Sequence, residues 1–354
     1  MLSYISAKEA AEKWSISQRR VATLCAENRI DGAMMVGNMW IIPSDAVKPI
    51  DRRIVKSEQR GRIVLKPFVK WVGGKSQLVE EIERYIDGCK SSLKSYAEPM
   101  VGGGALFFDV LTKYNFERVY ISDINAELMN AYAVIKHDVL PLIARLKEMQ
   151  MVYLPMDQNG RKYFYYSIRD KFNSTELKQE TSIDKAAYFI FLNKTCFNGL
   201  YRVNRKGQFN VPMGSYKNPC ICDEENLKNI HVALQGVTIV CGDYTLSESF
   251  IDNGTFVYID PPYRPISETS GFTAYTRDAF DDKEQQRLAE FIDHINSVGA
   301  KIVLSNSDPK NINSEDNFFE DLYGEYTIRR VEAARMINSK ADKRGKIYEL
   351  LISN

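Results

Sequence analysis

Apolar positions fall at two different spacings along the chain, and the change of spacing divides it. In the first fifty residues Ala7, Ala10, Ala11 and Trp14 share one helical face, which predicts a short amphipathic helix. Ser6 and Glu9, three apart at its start, form a capping box. Beyond Ser15-Ile16-Ser17 a second helix is expected, with Val21, Leu24 and Cys25 inward and Gln18, Arg19, Arg20 and Thr23 outward. Met34-Met35-Val36 and Met39-Trp40-Ile41-Ile42 flank Gly37-Asn38 and read as a tight hairpin closed by Pro43. Two helices across a short turn, then a hairpin, outline a winged helix-turn-helix over residues 1–50. A small dimerising or stabilising appendage would carry the same pattern. Residues 51–62 are basic and weakly patterned, as in a linker.

From about residue 63 short apolar runs alternate with helical stretches, the signature of an α/β domain over 63–354. Buried strands are expected at Arg118–Ser122, Thr238–Cys241, Phe256–Ile259 and Lys301–Asn306, with a closing pair at Tyr326–Val331 and Ile347–Ile352. The alternation breaks over 126–235. There, helical stretches at 126–150, 161–173 and 183–195 lead into a hairpin centred on Arg205-Lys206-Gly207.

The strand Phe256–Ile259 ends in Asp260-Pro261-Pro262-Tyr263. Each proline fixes its own φ and restricts the residue before it, so the Asp260 carboxylate and Pro261 carbonyl are held with little freedom. Two acceptors and an aromatic face suit a flat substrate bearing an exocyclic amine; a proline-rich turn is the plain alternative. Gly73-Gly74-Lys75-Ser76 invites a P-loop reading, but the motif's first glycine would fall at Val69, which disfavours a nucleotide triphosphatase. Gly102-Gly103-Gly104 stand at a strand-to-helix turn, where glycine lets backbone approach a ligand. Phe107 occupies the place of a dinucleotide fingerprint's third glycine, which counts against nicotinamide binding. Asp123, at the tip of the next strand, has the position of a ribose-hydroxyl acceptor, so a nucleoside-bearing cofactor remains indicated. Aromatic and basic residues interleave from Phe197 to Pro212, offering stacking or wedging surfaces and bidentate guanine contacts.

Composition sharpens this only in places. A length of 354 residues with 44% hydrophobic content allows two or three domains with real cores. The six cysteines include no C-x-x-C pair and the three histidines stand apart, so neither a zinc site nor a disulfide framework is expected. No apolar run approaches a membrane span and no signal pattern opens the chain, which predicts a cytoplasmic protein. The net charge of +1 hides basic clusters at 52–70, 202–206 and 329–346, as on a polyanion-binding face.

"AKEAAEKWSIS", "ENRIDGA" and "VGNMWIIP" resemble an excisionase or MerR-like module. "KWVGGK", "AEPMVGGGALF", "SDIN", "FLNKTCFNGLYRVNRKGQFNVPMG", "VYIDPPY", "FTAY" and "SKADKRGKIYELL", in this order over 67–354, resemble the Dam-like DNA adenine-N6 methyltransferases of the D12 class. That resemblance implies a Rossmann-like, S-adenosylmethionine-dependent methyltransferase domain with a target-recognition region inserted at 126–235. It implies a catalytic Asp260, Pro261, Pro262 and Tyr263. Trp71, Lys75, Glu98, Pro99, Asp123 and Asp260 would hold the cofactor, with Gly102, Gly103 and Gly104 on its methionine side and Asp243 near its adenine. Lys70, Leu200, Arg202, Pro212, Lys343 and Arg344 would contact DNA, with Phe197 and Asn198 wedging into the duplex. It implies double-stranded DNA as substrate, GATC as target, no metal, a cognate restriction endonuclease as a partner, and a bacterial or phage-type enzyme at the nucleoid. One position departs from the pattern: Ser215 stands where some relatives carry arginine between the glycine and tyrosine of P-x-G-x-Y. A non-catalytic DNA-binding regulator, a cytosine-N4 methyltransferase, and a small-molecule or protein-glutamine methyltransferase each share part of these features.

Overall fold

The computed structural model describes residues 4–14, 17–26, 30, 32–37, 39–44, 46, 64–71, 78–174, 183–264, 280–334 and 346–354. The chain divides into two units, Met1–Arg62 and Ile63–Asn354. In the first, β1 (Tyr4–Ser6), α1 (Ala7–Trp14), α2 (Gln18–Ala26), β2 (Met34–Val36) and β3 (Met39–Pro43) follow one another, with the strands in the order β1-β3-β2. The capping box forms: Ser6 N donates to Glu9 Oε2 at 2.8 Å and Glu9 N to Ser6 Oγ at 3.2 Å. Ala7, Ala10, Ala11, Trp14, Val21, Leu24 and Cys25 bury together with Ile30 and Ile42, the face that the helical spacing predicts. The hairpin pairs Met35 with Trp40, and Gly37 takes φ 60° in its turn. Strand β1, which the sequence reading left out, completes the sheet by pairing antiparallel with β3.

The second unit is built on β4 (Ser95–Glu98), β5 (Arg118–Asp123), β6 (Val237–Cys241), β7 (Thr255–Ile259), β8 (Lys301–Ser307), β9 (Thr327–Ala334) and β10 (Lys346–Ser353). Its sheet order is β6-β5-β4-β7-β8-β10-β9; the first five strands are parallel and β10 runs antiparallel to both its neighbours. The helices of this unit are α3 (Val79–Cys89), α4 (Ala105–Lys113), α5 (Ala126–His137), α6 (Val139–Tyr153), α7 (Gln158–Asn173), α8 (Ile183–Thr195), α9 (Glu224–Ala233), α10 (Asp282–Ser297) and α11 (Phe318–Leu322). The chain winds outward from β4 to β6, then returns to β7 on the other side of β4. That reversal makes the ends of β4 and β7 the walls of a crevice, where open α/β sheets bind ligands.

Alternation along the strands sorts side chains to two faces. Tyr96, Val119, Ile121, Phe256, Tyr258 and Val303 enter one core with α3 to α9; Ala97, Tyr120, Val257, Ile259, Ile302 and Leu304 enter a second with α10. Helix α8 buries Ala186 through Asn193, so it has no solvent face and forms the centre of the helical layer. The expected helix 126–150 is two helices. Pro141 lies in the first turn of α6, and a continuous helix would set its ring against the carbonyl of His137, so the chain breaks at Asp138.

Two segments lacking sheet neighbours have their backbone groups satisfied by asparagines. Asn193 accepts from Lys70 N at 2.7 Å and donates to Lys70 O at 2.8 Å. Asn226 does the same for Lys66, and Asn173 for Phe209. Each amide side chain supplies the donor–acceptor pair a neighbouring strand would otherwise provide, and stranding such groups costs about 1–3 kcal/mol apiece.

Candidate active site

Parallel register carries Tyr258 beside Val303 and Ile259 beside Leu304, so Asp260 follows next to Ser305. The same alternation turns Glu98, Asp260 and Ser305 to the face holding Tyr96 and Tyr258. The contacts follow: Ser305 Oγ donates to Asp260 Oδ1 at 3.0 Å, Tyr258 Oη lies 2.9 Å from Ser305 Oγ, and Tyr96 Oη donates to Glu98 Oε2 at 2.5 Å. Glu98 is buried. Burial pushes its carboxyl up to about 8, Tyr96 opposes the shift, and Asp260 adds to it. Pro261 is buried and Pro262 exposed; the Pro262 carbonyl accepts from Gln285 Nε2 at 3.3 Å. Tyr263 is half-buried. Arg264, next in the chain, reaches Asp282 with Nε and Nη2, reaches Asp316 with Nη1, and lies 4.1 Å over the ring of Phe318.

Across the crevice, the glycine turn is held from the protein side. Gly102 N donates to Asp123 Oδ2 at 3.0 Å, and Tyr132 Oη donates to Gly102 O at 3.2 Å. Gly102 and Gly104 take positive φ, 50° and 72°. A Cβ on Gly103 would meet Trp71 Cβ at 2.6 Å, and one on Gly104 would meet Tyr132 Oη at 2.5 Å. Small residues are therefore required by packing here, before any ligand is considered. Helix α4 begins at Gly104 with no side-chain cap, so its first N–H groups can receive an anion. The other Asp123 oxygen accepts Asn125 N at 2.9 Å. Burial pushes this carboxyl up, against the pull of its two amide donors. Pro99 lies beside it, its carbonyl accepting Ser122 Oγ at 3.3 Å. Asp243 is gripped by the two Nη groups of Arg287 at 2.7 and 3.1 Å and by Thr245. Burial raises its carboxyl, but these partners hold it below its ordinary range.

Of the expected DNA-contacting residues, Lys70 lies against Gly199, in the turn that carries Phe197, Asn198 and Leu200. Its ammonium sits 3.8 Å from the ring centroid of Tyr216, and Gly199 approaches so closely that a Cβ there would meet Lys70 Cβ at 2.5 Å. Phe197 and Asn198 are exposed, Asn198 in a left-handed conformation (φ 54°, ψ 14°), and Phe197 N donates to Pro212 O at 2.9 Å. Leu200 is half-buried, and Pro212 and Ser215 are exposed. Arg202 is exposed and its Nε donates to Asn210 Oδ1 at 2.8 Å. The hairpin is looser than regular strands: a single bridge, Val203 to Phe209, closes a turn with Gly207 at φ 76°. Lys75, Lys343, Arg344 and the FTAY stretch lie outside the described residues.

Some of the linkage escapes the sequence reading. Trp71 stacks on Tyr201 at 5.7 Å and 21°, tying the glycine turn to the hairpin through one aromatic pair. Asn193, which donates to the Gly199 carbonyl at 3.0 Å as well as pairing with Lys70, ties the hairpin's first turn to the same segment. Ser305, Asn306 and Gln285 are fully buried beside the Asp260 loop. A polar Ser-Asn pair ending an otherwise apolar strand was the available signal. Among the described residues no cluster of His, Cys, Asp and Glu suits a metal, and no helix is long and apolar enough to cross a membrane.

A mostly parallel sheet with a glycine turn and the Asp260–Tyr263 loop at its switch point fits an α/β enzyme of the methyltransferase kind. Residues 71–337 match the D12 class N6 adenine-specific DNA methyltransferase family, and the chain belongs to it. It is 49% identical over 293 residues to the type II methyltransferase M.MjaIII of Methanocaldococcus jannaschii, covering 82% of this chain and 99% of that one. It is 33% identical to the DNA adenine methylase of Haemophilus influenzae, over 84% of this chain and 96% of that one. A DNA N-6-adenine-methyltransferase of Escherichia phage P1 is 31% identical over 95% of this chain and 43% of its own length. The protein is an adenine-specific DNA methyltransferase that modifies the N6 amine.

Proposed function

We propose that the methyl donor is S-adenosylmethionine and that the target adenine, within GATC, swings out of the duplex into the crevice between β4 and β7. The reading is carried by the position of Asp260 and Pro261 at that switch point, with the exposed Lys70, Phe197, Asn198 and Arg202 on the hairpin side of the same unit. The residues present suit such a donor. Glu98 offers a carboxyl for an ammonium, the uncapped start of α4 N–H groups for a carboxylate, and Asp123 spare lone pairs for ribose hydroxyls. When bound, S-adenosylmethionine supplies a sulfonium-activated methyl group. An adenine amine is a weak nucleophile because its lone pair is delocalised into the ring. The Asp260 carboxylate and Pro261 carbonyl accept its two N–H bonds and turn the lone pair outward. Tyr263 stacks on the extruded base, returning about 1–3 kcal/mol of the unstacking cost. Rate enhancement then comes from alignment and fixed acceptors.

Residues 126–235 act as the target-recognition region, with Phe197 and Asn198 filling the vacated stack and Arg202 reading a base. Residues 1–50 act as a winged helix-turn-helix that holds DNA; the phage relative's coverage of 95% of this chain extends into that unit. A cognate restriction endonuclease fits a relative named as a type II methyltransferase. The test is a Asp260→Ala variant with labelled donor and a panel of duplexes. The parent protein should leave N6-methyladenine within GATC, whereas the variant should bind duplex and leave none. Near-parental turnover by the variant would remove Asp260 from the chemistry. Modification at another sequence would leave the chemistry standing and replace the target.

A further inference from the structure

We propose that Tyr201 is a positioning residue shared by donor binding and target reading. Its ring, at the base of the hairpin, braces the Trp71 wall of the donor site and sets the height of Leu200 and Arg202 on the DNA side. This deepens the function proposed above and rests on the assignment of Trp71 to the donor and of Leu200 and Arg202 to the duplex.

Tyr201 is 7% exposed although it stands between a half-buried Leu200 and an exposed Arg202. The backbone at Leu200 is extended (φ −70°, ψ 145°), a geometry that sends successive side chains to opposite sides. Asn210 N donates to Arg202 O at 3.1 Å and holds the outgoing arm against the returning one. The seat of the Tyr201 ring therefore fixes how far its two neighbours stand out. Three elements build that seat. The ring stacks on Trp71 with centroids 5.7 Å apart and planes 21° from parallel. Phe189, from the buried α8, lies 5.6 Å away, and Phe209, from the returning arm, 5.8 Å away. Asn173 holds the Phe209 backbone by both its N–H and its carbonyl.

Trp71 in turn lies against the glycine turn. A Cβ on Gly102 would meet Trp71 Cδ1 and Nε1 at 3.0 Å, and one on Gly103 would meet Trp71 Cβ at 2.6 Å. The glycine turn blocks one direction of movement of the indole, and the Tyr201 ring blocks another. The Tyr201 hydroxyl reaches the neighbouring turn. Burial and then the Glu127 charge push its phenol up, and a hydrogen bond with the Asn125 side chain opposes them. Asn125 caps α5, and its N–H is held by Asp123, the residue expected at the ribose. One side chain of the hairpin thus touches both the Trp71 wall and the turn after β5.

The experiment compares Tyr201→Leu and Tyr201→Phe with Trp71→Leu and Arg202→Ala in the full chain. S-adenosylmethionine affinity is measured without DNA, and methylation rates on the preferred duplex and on single-base variants of it. Tyr201→Leu should weaken donor binding and narrow the duplex discrimination, each by about 3- to 12-fold, the range an aromatic pair is worth. Tyr201→Phe, which keeps the ring, should hold both within about twofold. Added to Trp71→Leu, Tyr201→Leu should weaken donor binding no further; added to Arg202→Ala, it should narrow discrimination by less than it does alone. A merely structural role would lower the melting temperature and the active fraction while leaving both properties parental per active molecule, and that result overturns the proposal. So does a Tyr201→Leu that loses one property and keeps the other, or a Tyr201→Phe as impaired as the leucine variant. Parental donor affinity in Trp71→Leu, or parental discrimination in Arg202→Ala, overturns the assignments beneath the proposal instead.

Discussion

At the scale of single residues a heavy electrostatic demand falls on Glu98, a carboxyl at the end of β4 that is buried with Tyr96 and faces Asp260. Its folded value near 8 lies above the ordinary 4.5, so the folded protein keeps this proton to a higher pH than the unfolded chain does. The stability tied to that proton is complete below about pH 4.5 and is lost as pH rises through 8. A shift of that size corresponds to roughly 5 kcal/mol at most, enough to dominate a domain of ordinary stability. Glu98→Gln, whose amide oxygen still accepts from Tyr96, should therefore match the parent near pH 5 and unfold at a higher temperature near pH 9. Calorimetry of the two proteins across that range checks it. Glu83, pushed up to about 7 chiefly by burial and then by Asp109, carries the same sign but is present in both proteins and cancels. Parallel pH curves for parent and variant would mean that Glu98 is ionised in the fold.

At the scale of elements, the recognition role proposed for the exposed hairpin after α8 can be tested apart from the chemistry. Arg202 has its Nε committed to Asn210, which orients the guanidinium and leaves its Nη edge as the group able to form a bidentate base contact. Arg202→Ala should cut the rate on the preferred duplex relative to single-base variants by about 5- to 150-fold, the equivalent of 1–3 kcal/mol, while nonspecific affinity changes little. Competition between cognate and substituted duplexes reads this directly. Equal loss on all sequences would make Arg202 a phosphate contact. The hairpin, the Asp260 loop and the glycine turn were legible because each is written locally, as a turn residue, a proline pair or a glycine run after an apolar strand. The two-helix split at Asp138 was legible too, had Pro141 been weighed against the apolar run around it. What joins these pieces was not. The Trp71–Tyr201 stack, the Asn193 bridge and the Ser305–Asp260 contact connect residues 45 to 130 positions apart. They exist only because strand register and the buried α8 bring them together, and register is a property of the assembled sheet. The partner of Asp243 was hidden for the same reason: Arg287 reads as a surface position on an amphipathic helix.

At the scale of the whole molecule, charge is divided between the two units. Residues 1–62 carry eleven Lys and Arg against seven Asp and Glu, whereas the whole chain is only +1, so the unit that holds Asp260 is itself net acidic. A net acidic body approaching a polyanion must rely on local basic groups, and the DNA-holding role proposed for the first unit would add a compensating field. The chemistry itself should not require it: the Methanocaldococcus jannaschii relative is matched over 99% of its length by 82% of this chain. A protein of residues 63–354 should thus retain the single-turnover methylation rate at saturating DNA. Its duplex affinity should be several-fold weaker at low salt, and its dependence of log K on log salt shallower, because fewer phosphates are neutralised. Titrations of both proteins at two or more salt concentrations measure the slope difference. An unchanged slope would mean that residues 1–62 touch no phosphate, whatever their helices and hairpin resemble. A lost methylation rate with intact folding of the remainder would mean that the first unit takes part in forming the catalytic complex.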